Sequence, residues 1–248
     1  MAGPSPLAWQ IATVTEIQPE TANVKSFTFR LPKFTAHLAG QHYDIRLTAE
    51  DGYQAQRSYS IASEPMRTGE VVLTVERIPD GEVSTYLHDV VVPGDRVELR
   101  GPIGGYFVWE AALGGPLLLI AGGSGVVPLL SMLRHRAGAM SHVPTALVYS
   151  SRTRDDVIDF DELDRLAHAD STLRVIHTLT RSQPPGWSGY SRRIDAEMLQ
   201  DALAGLGRTS KVFICGPTLL VEAAAEALVG LGLAPGQIKT ERFGPTGA

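Results

Sequence analysis

The chain has 248 residues, 44% of them hydrophobic and 20% charged, which predicts a folded protein of one large or two ordinary domains. The net charge of −5 argues against general nucleic-acid binding, and the single cysteine excludes an internal disulfide and a four-cysteine iron–sulfur cluster formed by this chain alone. No apolar run reaches the ~20 residues that span a bilayer. The N-terminal residues show no signal-peptide pattern, and the histidines are not at metal-ligand spacing. We therefore expect a cytoplasmic protein without a membrane span or a metal site.

Residues 1–112 have the rhythm of short strands separated by Gly/Pro turns such as Pro93-Gly94-Asp95. Alternating or apolar segments predict strands over residues 24–31, 41–47, 71–77 and 97–100. One short helix is predicted over residues 84–89, with Ser84 as its N-cap. Strands at this spacing predict an antiparallel barrel or sandwich.

Residues 113–248 change to alternating strands and helices. Strands are predicted over residues 117–121, 146–150, 173–178, 212–215 and 237–243, and helices over residues 126–136, 160–168, 196–203 and 219–231. This alternation predicts a parallel sheet with helices on both faces. Such sheets bind ligands at the carboxyl ends of their strands, which here would carry Gly122, residues 150–152 and residues 215–217.

The most informative motif is LLLIAGGSGVVP at residues 117–128. An apolar strand runs into a GGSG turn, and a helical pattern opens at Val126 with Pro128 in its first turn. Glycine allows a close approach of the backbone, and the amides of a helix N-terminus attract phosphate. The motif predicts a site for a dinucleotide pyrophosphate, although Pro128 stands where the usual fingerprint has a third glycine. A strand-to-helix turn without a ligand is the alternative.

Two segments of the first half are candidates for further phosphate contacts. In RSYS at residues 57–60, alternation places Arg57 and Tyr59 on one side of a strand and Ser60 on the other. An arginine can grip a phosphate and a tyrosine offers a flat face to an aromatic ring. GEVS at residues 81–84 is a turn before a helix whose free amides can bind an anion. Taken alone, an amphipathic strand explains the first segment equally well, and a plain hairpin turn with a capping serine explains the second segment better.

Five motifs occur in the order found in the ferredoxin–NADP reductase family: RSYS (57–60), GEVS (81–84), GGSGVVP (122–128), CGP (215–217) and ERF (241–243). On these residues the chain resembles that family over nearly its whole length. The resemblance implies a flavin-binding antiparallel β-barrel, residues 1–112, followed by a nicotinamide-nucleotide-binding α/β domain, residues 113–248. It also implies FAD as the flavin.

The resemblance assigns roles on the flavin side. Arg57 would bind the flavin phosphate, Tyr59 would pack on the flavin, and Ser60 would place its hydroxyl near N5. Residues 81–84 would hold the pyrophosphate, and residues 75–77 would lie along the flavin tail. The implied flavin-side residues are Arg57, Tyr59, Ser60, Val75, Arg77, Gly81, Val83 and Ser84.

The resemblance assigns a second set on the nicotinamide side. The phosphate loop would comprise Gly122, Gly123, Gly125 and Pro128, and the nicotinamide ring would approach Cys215, Gly216 and Pro217. The implied catalytic residues are Ser60, Cys215, Glu241 and Phe243. Plant-type members end at a tyrosine in the position of Phe243, whereas residues 244–248 follow it here. Many relatives also carry a fused 2Fe–2S domain, for which this chain lacks the cysteines.

The end of the second strand of the α/β half bears on the choice of nucleotide. NAD enzymes commonly place an acid at the adenosine ribose, whereas an arginine accommodates a 2′-phosphate. Ser151 and Arg152, joined by Arg181 after the next strand, favour NADPH, with NADH possible. The alternative is that Arg181 and Arg154, two residues after Arg152, are solvated surface charges, with Asp155 and Asp156 close by.

The predicted activity is transfer of a hydride from NAD(P)H to FAD, followed by release of electrons to a separate acceptor. Most of the catalysis would come from the orientation of the two rings. The acceptor would be a ferredoxin, a flavodoxin, an oxygenase component or a small molecule. Two alternatives remain open: a reductase that releases reduced free flavin, and a nucleotide-binding, redox-sensing regulatory subunit with little turnover.

Overall fold

A computed structural model describes residues 7–243. Residues 1–6 and 244–248, on which the expectations about a leader and about the C-terminal extension partly rest, lie outside the described residues. The strands of the first half are β1 (Gln10–Thr21), β2 (Val24–Arg30), β3 (His42–Thr48), β4 (Gln54–Ser60), β5 (Glu70–Glu76) and β6 (Arg96–Ile103). The strands of the second half are β7 (Leu117–Gly122), β8 (Thr145–Ser151), β9 (Leu173–Leu179), β10 (Lys211–Pro217) and β11 (Ile238–Phe243). The helices are α1 (Glu82–Asp89), α2 (Val126–Gly138), α3 (Phe160–Ala169), α4 (Ala196–Ala204) and α5 (Thr218–Gly230).

The first half is an antiparallel sheet in the order β4-β3-β6-β1-β2-β5. An antiparallel bridge from Ile61 to Leu73 links the chain after β4 to β5, so the sheet curls into a barrel. Its core includes Phe27 and Phe29 from β2 and Val83 from α1. The expected antiparallel barrel is confirmed. The sequence patterns did not predict β1 or most of β4, because both strands are rich in polar residues and only a few of their side chains are buried.

The second half is a parallel sheet in the order β11-β10-β7-β8-β9. Side chains of β7 alternate between its two faces: Leu117 and Leu119 pack with α2 and α3, whereas Leu118 and Ile120 pack with α4 and α5. The expected parallel sheet with helices on both faces is confirmed, and its strands and helices lie within about two residues of the predicted bounds. Within residues 7–243 no helix is both long and apolar enough to cross a membrane.

The two halves share a buried contact. Phe107 and Trp109, from the segment after β6, belong to the same apolar cluster as α2 and β7, and the Phe107 ring meets the Phe213 ring edge to face at 5.3 Å. Gly40 has a φ of +102°, and a Cβ there would lie 1.9 Å from the Phe107 carbonyl oxygen, so only glycine fits. This packing holds the barrel against the sheet at a defined position.

Candidate active site

The carboxyl ends of the central strands bring the motifs of the second half together. Strand register pairs Cys215 with Ala121 and with Glu241, and Pro217 with Phe243. The GGSG turn begins directly after Ala121. Three segments that are far apart in the sequence, GGSG, CGP and ERF, therefore lie side by side at one sheet edge, where α/β proteins bind their ligands.

The turn at residues 123–125 is a 3-10 turn leading into α2, and its backbone packs tightly against β10. A Cβ on Gly125 would lie 2.2 Å from the Cys215 carbonyl oxygen, and a Cβ on Gly122 would lie 2.6 Å from a methyl of Leu220. Gly123 has a φ of +53°, which favours glycine. Pro128 is the third residue of α2. This glycine cradle at a helix N-terminus fits a phosphate group of a nucleotide.

Cys215, which is buried, and Glu241, which is half-buried, lie side by side on neighbouring strands. Burial, assisted by the charge of Glu241, raises the pKa of the Cys215 thiol, so the thiol is a neutral, weak hydrogen-bond donor. Burial raises the pKa of Glu241 to about 7, because little water reaches its carboxylate. Phe243 packs partly buried against the apolar cluster beneath α2. The edge thus offers a thiol, a carboxyl that titrates near neutrality and an aromatic ring.

The RSYS segment lies on β4 with the alternation that the sequence predicts. The Ser58 hydroxyl donates to the buried Asp44 at 2.6 Å. Arg57 is exposed, and among residues 7–243 its guanidinium donates only to the neighbouring Gln56 carbonyl oxygen, at 2.6 Å. Tyr59 packs against the barrel core, and burial raises its pKa to about 12. An exposed guanidinium beside a tyrosine ring fits a flavin with a phosphate tail.

The GEVS segment differs from expectation in one respect. We expected a helix from Ser84 with that residue as N-cap, but α1 begins at Glu82 and its N-cap is Gly81. The Ser84 hydroxyl instead accepts from the Ile78 amide at 3.1 Å and donates to the Gly81 carbonyl oxygen at 3.2 Å. Gly81 adopts an extended conformation, and a Cβ there would lie 2.6 Å from Ser84 Oγ. The first amides of α1, including that of Val83, remain available to an anion.

Two predicted flavin-side residues are committed to other contacts. The Val75 side chain is fully buried in the barrel core, and the Val75 carbonyl oxygen lies 2.9 Å from His88 Nε2. Val75 therefore presents no side chain to a ligand on the barrel surface. Arg77 forms a bidentate ion pair with Asp89 of α1. Its Nε donates to Asp89 Oδ1 at 3.2 Å, and its Nη2 donates to Asp89 Oδ2 at 2.8 Å. That ion pair occupies the Nε and Nη2 edge of the guanidinium, which leaves Nη1 as the atom that could bind a phosphate while the pair is intact.

The predicted 2′-phosphate contacts separate into two groups. Arg152 and Arg181 are both exposed, and the Arg181 amide donates to the Arg152 carbonyl oxygen at 2.8 Å, so the two residues are neighbours at the strand ends. The expectation for Ser151 is wrong in this structure: its hydroxyl is buried under the end of β8 instead of facing the edge. Strand alternation turns Ser150 to the opposite face.

Sequence reasoning missed a set of contacts that joins the chain after Ser60 to α2. The Ser131 hydroxyl donates to the Ser63 carbonyl oxygen at 2.7 Å, and Arg134 donates to the Ala62 carbonyl oxygen at 2.8 Å. Arg134 also pairs with Glu162 of α3. Ser131 and Arg134 lie three residues apart, and Ser131 interrupts the apolar first half of α2; this spacing is the signal that could have drawn attention to them. Through them, the helix that starts at the GGSG turn also holds the segment that follows β4.

Comparisons with known proteins agree with this geometry. Residues 11–108 match the oxidoreductase FAD-binding domain, and residues 119–226 match the oxidoreductase NAD-binding domain. NADH-cytochrome b5 reductase 1 of Aspergillus terreus is 30% identical over 238 residues, which cover 92% of this chain and 79% of that protein. The glycine betaine monooxygenase reductase subunit of Pseudomonas aeruginosa is 30% identical over 231 residues, covering 92% of this chain and 62% of that protein.

Solved structures show the same two-part fold. An Amycolatopsis cytochrome P450 reductase superposes with a TM-score of 0.83 at 27% identity, covering 97% of this chain and 71% of that one. A ferredoxin NADP+ reductase from Neisseria gonorrhoeae with bound FAD and NADP superposes with a TM-score of 0.81 at 24% identity, covering 94% of this chain and 98% of that one. The chain therefore belongs to the ferredoxin–NADP reductase family of FAD-dependent NAD(P)H oxidoreductases.

Proposed function

We propose that this oxidoreductase draws electrons from NADPH and delivers them to a separate acceptor protein. The observation that carries the proposal is the single sheet edge at which the glycine loop, Cys215 and Glu241 meet, facing a barrel of the FAD-binding type. A bound flavin accepts a hydride from a reduced nicotinamide and can release the electrons one at a time. The two binding units would divide near residue 112, between β6 and β7.

Most of the chain's contribution would be binding and orientation. Arg57 and the first amides of α1, with Gly81 and Ser84 shaping the turn, would hold the flavin phosphates, and Tyr59 would support the flavin ring. The glycine loop with Pro128 would hold the nucleotide pyrophosphate. Gly216 and Pro217 would then form the floor beneath the nicotinamide.

The side chains at the meeting point of the two rings would supply hydrogen bonds and exclude water. Ser60 lies half-buried at the end of β4, and its hydroxyl would donate toward the flavin. The neutral Cys215 thiol and the Glu241 carboxyl would line the nicotinamide side, and the Phe243 ring would cover the flavin until the nicotinamide arrives. Partly buried groups of this kind would help to place the reacting atoms and to keep water from them.

Preference for NADPH is supported by the two adjacent arginines. Arg154 stacks on Phe160 at 3.8 Å and lies 3.8 Å from Asp161, whereas Arg152 and Arg181 have no such partner within residues 7–243. Of the nearby acids, Asp156 accepts from the amide and the hydroxyl of Thr153. These bonds hold the Asp156 carboxylate on its own turn, and the guanidiniums of Arg152 and Arg181 would be free to bind a 2′-phosphate.

The acceptor would be a redox protein such as a ferredoxin, a flavodoxin or an oxygenase component. Two relatives are named as a cytochrome b5 reductase and a monooxygenase reductase subunit, names that describe delivery to another redox centre. The one cysteine of this sequence cannot ligate a 2Fe–2S cluster. If the acceptor is a 2Fe–2S cluster, cysteines outside this sequence would have to ligate it.

The test is stopped-flow oxidation of the NADPH-reduced protein by a 2Fe–2S ferredoxin, a flavodoxin, cytochrome b5 and free FMN, with ferricyanide as the general acceptor. We expect at least one protein acceptor to be reduced with a kcat/KM well above that for FMN. Fastest reduction of FMN, together with loss of flavin on gel filtration, would identify a free-flavin reductase instead. Negligible turnover even with ferricyanide would favour the regulatory subunit.

A further inference from the structure

A hydrogen bond crosses from the barrel to the glycine loop. The Ser124 hydroxyl, the only side chain that can hydrogen-bond in the GGSG turn, donates to Glu76 Oε2 at 2.6 Å. Glu76 is the last residue of β5 and pairs in register with Val24, whose side chain packs in the apolar cluster of the second half. Glu76 therefore lies at the junction of the two halves, next to the loop.

The Glu76 carboxylate has no cationic partner at this junction. Within the described part of the chain, Glu76 makes no ion pair, and the next residue, Arg77, pairs with Asp89 instead. Burial raises the pKa of the nearby Tyr149 phenol, and the charges of Asp159 and Glu76 add to this rise. Within the described residues the Glu76 carboxylate therefore has one hydrogen-bond partner, the Ser124 hydroxyl, and no cation pairs with its negative charge.

A carboxylate at this position affects the loop in two ways. Its hydrogen bond fixes the Ser124 rotamer and ties the loop to the barrel, so the Ser124 proton is not offered to a ligand. Its negative charge lies beside the N-terminus of α2, where the helix dipole favours an anion. The carboxylate therefore competes with a nucleotide phosphate for that favourable position. A dianionic pyrophosphate bound to the same loop would be repelled by it.

We propose that Glu76 is a positioning residue that holds the phosphate loop across the junction and, through its charge, weakens the binding of nicotinamide nucleotides at that loop. The inference rests on the proposed role of the GGSG turn as the phosphate loop. A reductase that has to release oxidised nucleotide in each cycle gains from such a charge, because weaker binding of the product speeds its departure.

The test is calorimetric titration of the FAD-loaded protein with NADP+ and NAD+ for wild type, Glu76→Gln and Ser124→Ala. Glutamine keeps the hydrogen-bond acceptor and removes the charge, so we expect the Kd of the preferred nucleotide to fall by about three- to tenfold at low ionic strength. The gain should shrink at high salt, because salt screens charge but leaves a purely structural effect unchanged. Ser124→Ala keeps the charge and should give no tightening.

Glu226→Gln, an equal charge change at an exposed position on α5, is the matched control and should leave the Kd unchanged. A Kd for Glu76→Gln that equals or exceeds that of wild type at low salt would overturn the proposal for Glu76 alone. Failure of the wild type to bind either nucleotide would instead overturn the assignment of the phosphate loop, and the proposal for Glu76 with it.

Discussion

The phosphate loop proposed for the α/β half consists mainly of packed backbone, whereas the phosphate contacts proposed for the barrel include an exposed side chain. The loop is backbone pressed against backbone, with Gly125 too close to the Cys215 carbonyl oxygen for any side chain. The barrel offers an exposed arginine, Arg57, and the end of an eight-residue helix, α1. A substitution in packed backbone should disrupt phosphate binding severely, whereas loss of one side chain from the barrel site should only lower the affinity for phosphate. The predictions below test that difference.

The largest effect is expected for Gly125→Ala. The added Cβ would lie 2.2 Å from the Cys215 carbonyl oxygen, so the loop or β10 has to move, at a cost of about 1–3 kcal/mol. NADPH-driven flavin reduction should fall by more than about 100-fold, because the two rings lose their alignment. Single-turnover kinetics measure the rate, and flavin fluorescence checks that the barrel still binds FAD.

Gly205→Ala is the control for Gly125→Ala, because a Cβ at residue 205 meets no atom within 4 Å. It should leave the rate unchanged. A Gly125→Ala protein that reduced its flavin at the wild-type rate would show that the loop does not position the nucleotide.

The next largest effect is expected for Arg57→Ala, which removes an exposed guanidinium that has no carboxylate partner within residues 7–243. Loss of a charge-assisted phosphate contact should raise the Kd for FAD by about 10- to 100-fold, measured by titration of the apoprotein. Arg77→Ala should change that Kd less than about threefold, because Arg77 is paired with Asp89. Equal weakening by both substitutions would show that Arg77 also binds phosphate.

A smaller effect is expected for Arg152→Ala and Arg181→Ala. Each should lower the ratio of kcat/KM for NADPH to that for NADH by about tenfold, because each removes a charge-assisted contact with the 2′-phosphate. Arg208→Ala, exposed near the amino end of β10, is the control and should leave the ratio unchanged. An unchanged ratio in both test variants would contradict the proposed preference.

The smallest effect is expected for Glu241→Gln and depends on pH. The pKa of Glu241 is raised by burial from 4.5 to about 7 in the folded protein, so folding favours the protonated form. Its stabilisation is complete below about pH 4.5 and is lost as the pH rises through 7. Glutamine should therefore raise the free energy of unfolding by about 1–2 kcal/mol at pH 8, after allowance for partial exposure, and change it little at pH 4.

Urea unfolding at the two pH values measures this difference for Glu241→Gln. In addition, any break near pH 7 in the rate of flavin reduction should disappear in the variant. If the break persisted in the variant, the group that titrates near pH 7 would not be Glu241.

The same contrast explains how much could be predicted from the sequence. In the α/β half, buried strands are continuous apolar runs and the helices are clearly periodic, so the strands, the helices and the sheet edge that joins Gly122 and Cys215 were predicted. Glu241 was assigned to this site only through the family resemblance. In the barrel, β1 and β4 are polar, because few of their side chains enter the core. Only the RSYS motif drew attention to β4.

The predictions that failed depend on the direction of single side chains. The sequence shows a hydroxyl at Ser151 but not that strand alternation buries it. It shows a good N-cap at Ser84 but not that Gly81 starts the helix two residues earlier than expected. The bonds from Ser131 and Arg134 to the chain after Ser60, and from Ser124 to Glu76, join residues 48 to 72 positions apart. Periodicity can mark a polar residue on an apolar helix face, but it does not identify the distant residue to which that side chain bonds.

The most direct test of the central claim is an anaerobic titration of the purified protein, followed by its visible absorption, first with NADPH and then with NADH. We expect a flavin spectrum that bleaches at a lower concentration of NADPH than of NADH. Equal bleaching by the two nucleotides would retain the oxidoreductase and remove the preference assigned to Arg152 and Arg181. Absence of a flavin band, even after incubation with FAD, would contradict the account of how the barrel and the phosphate loop work together.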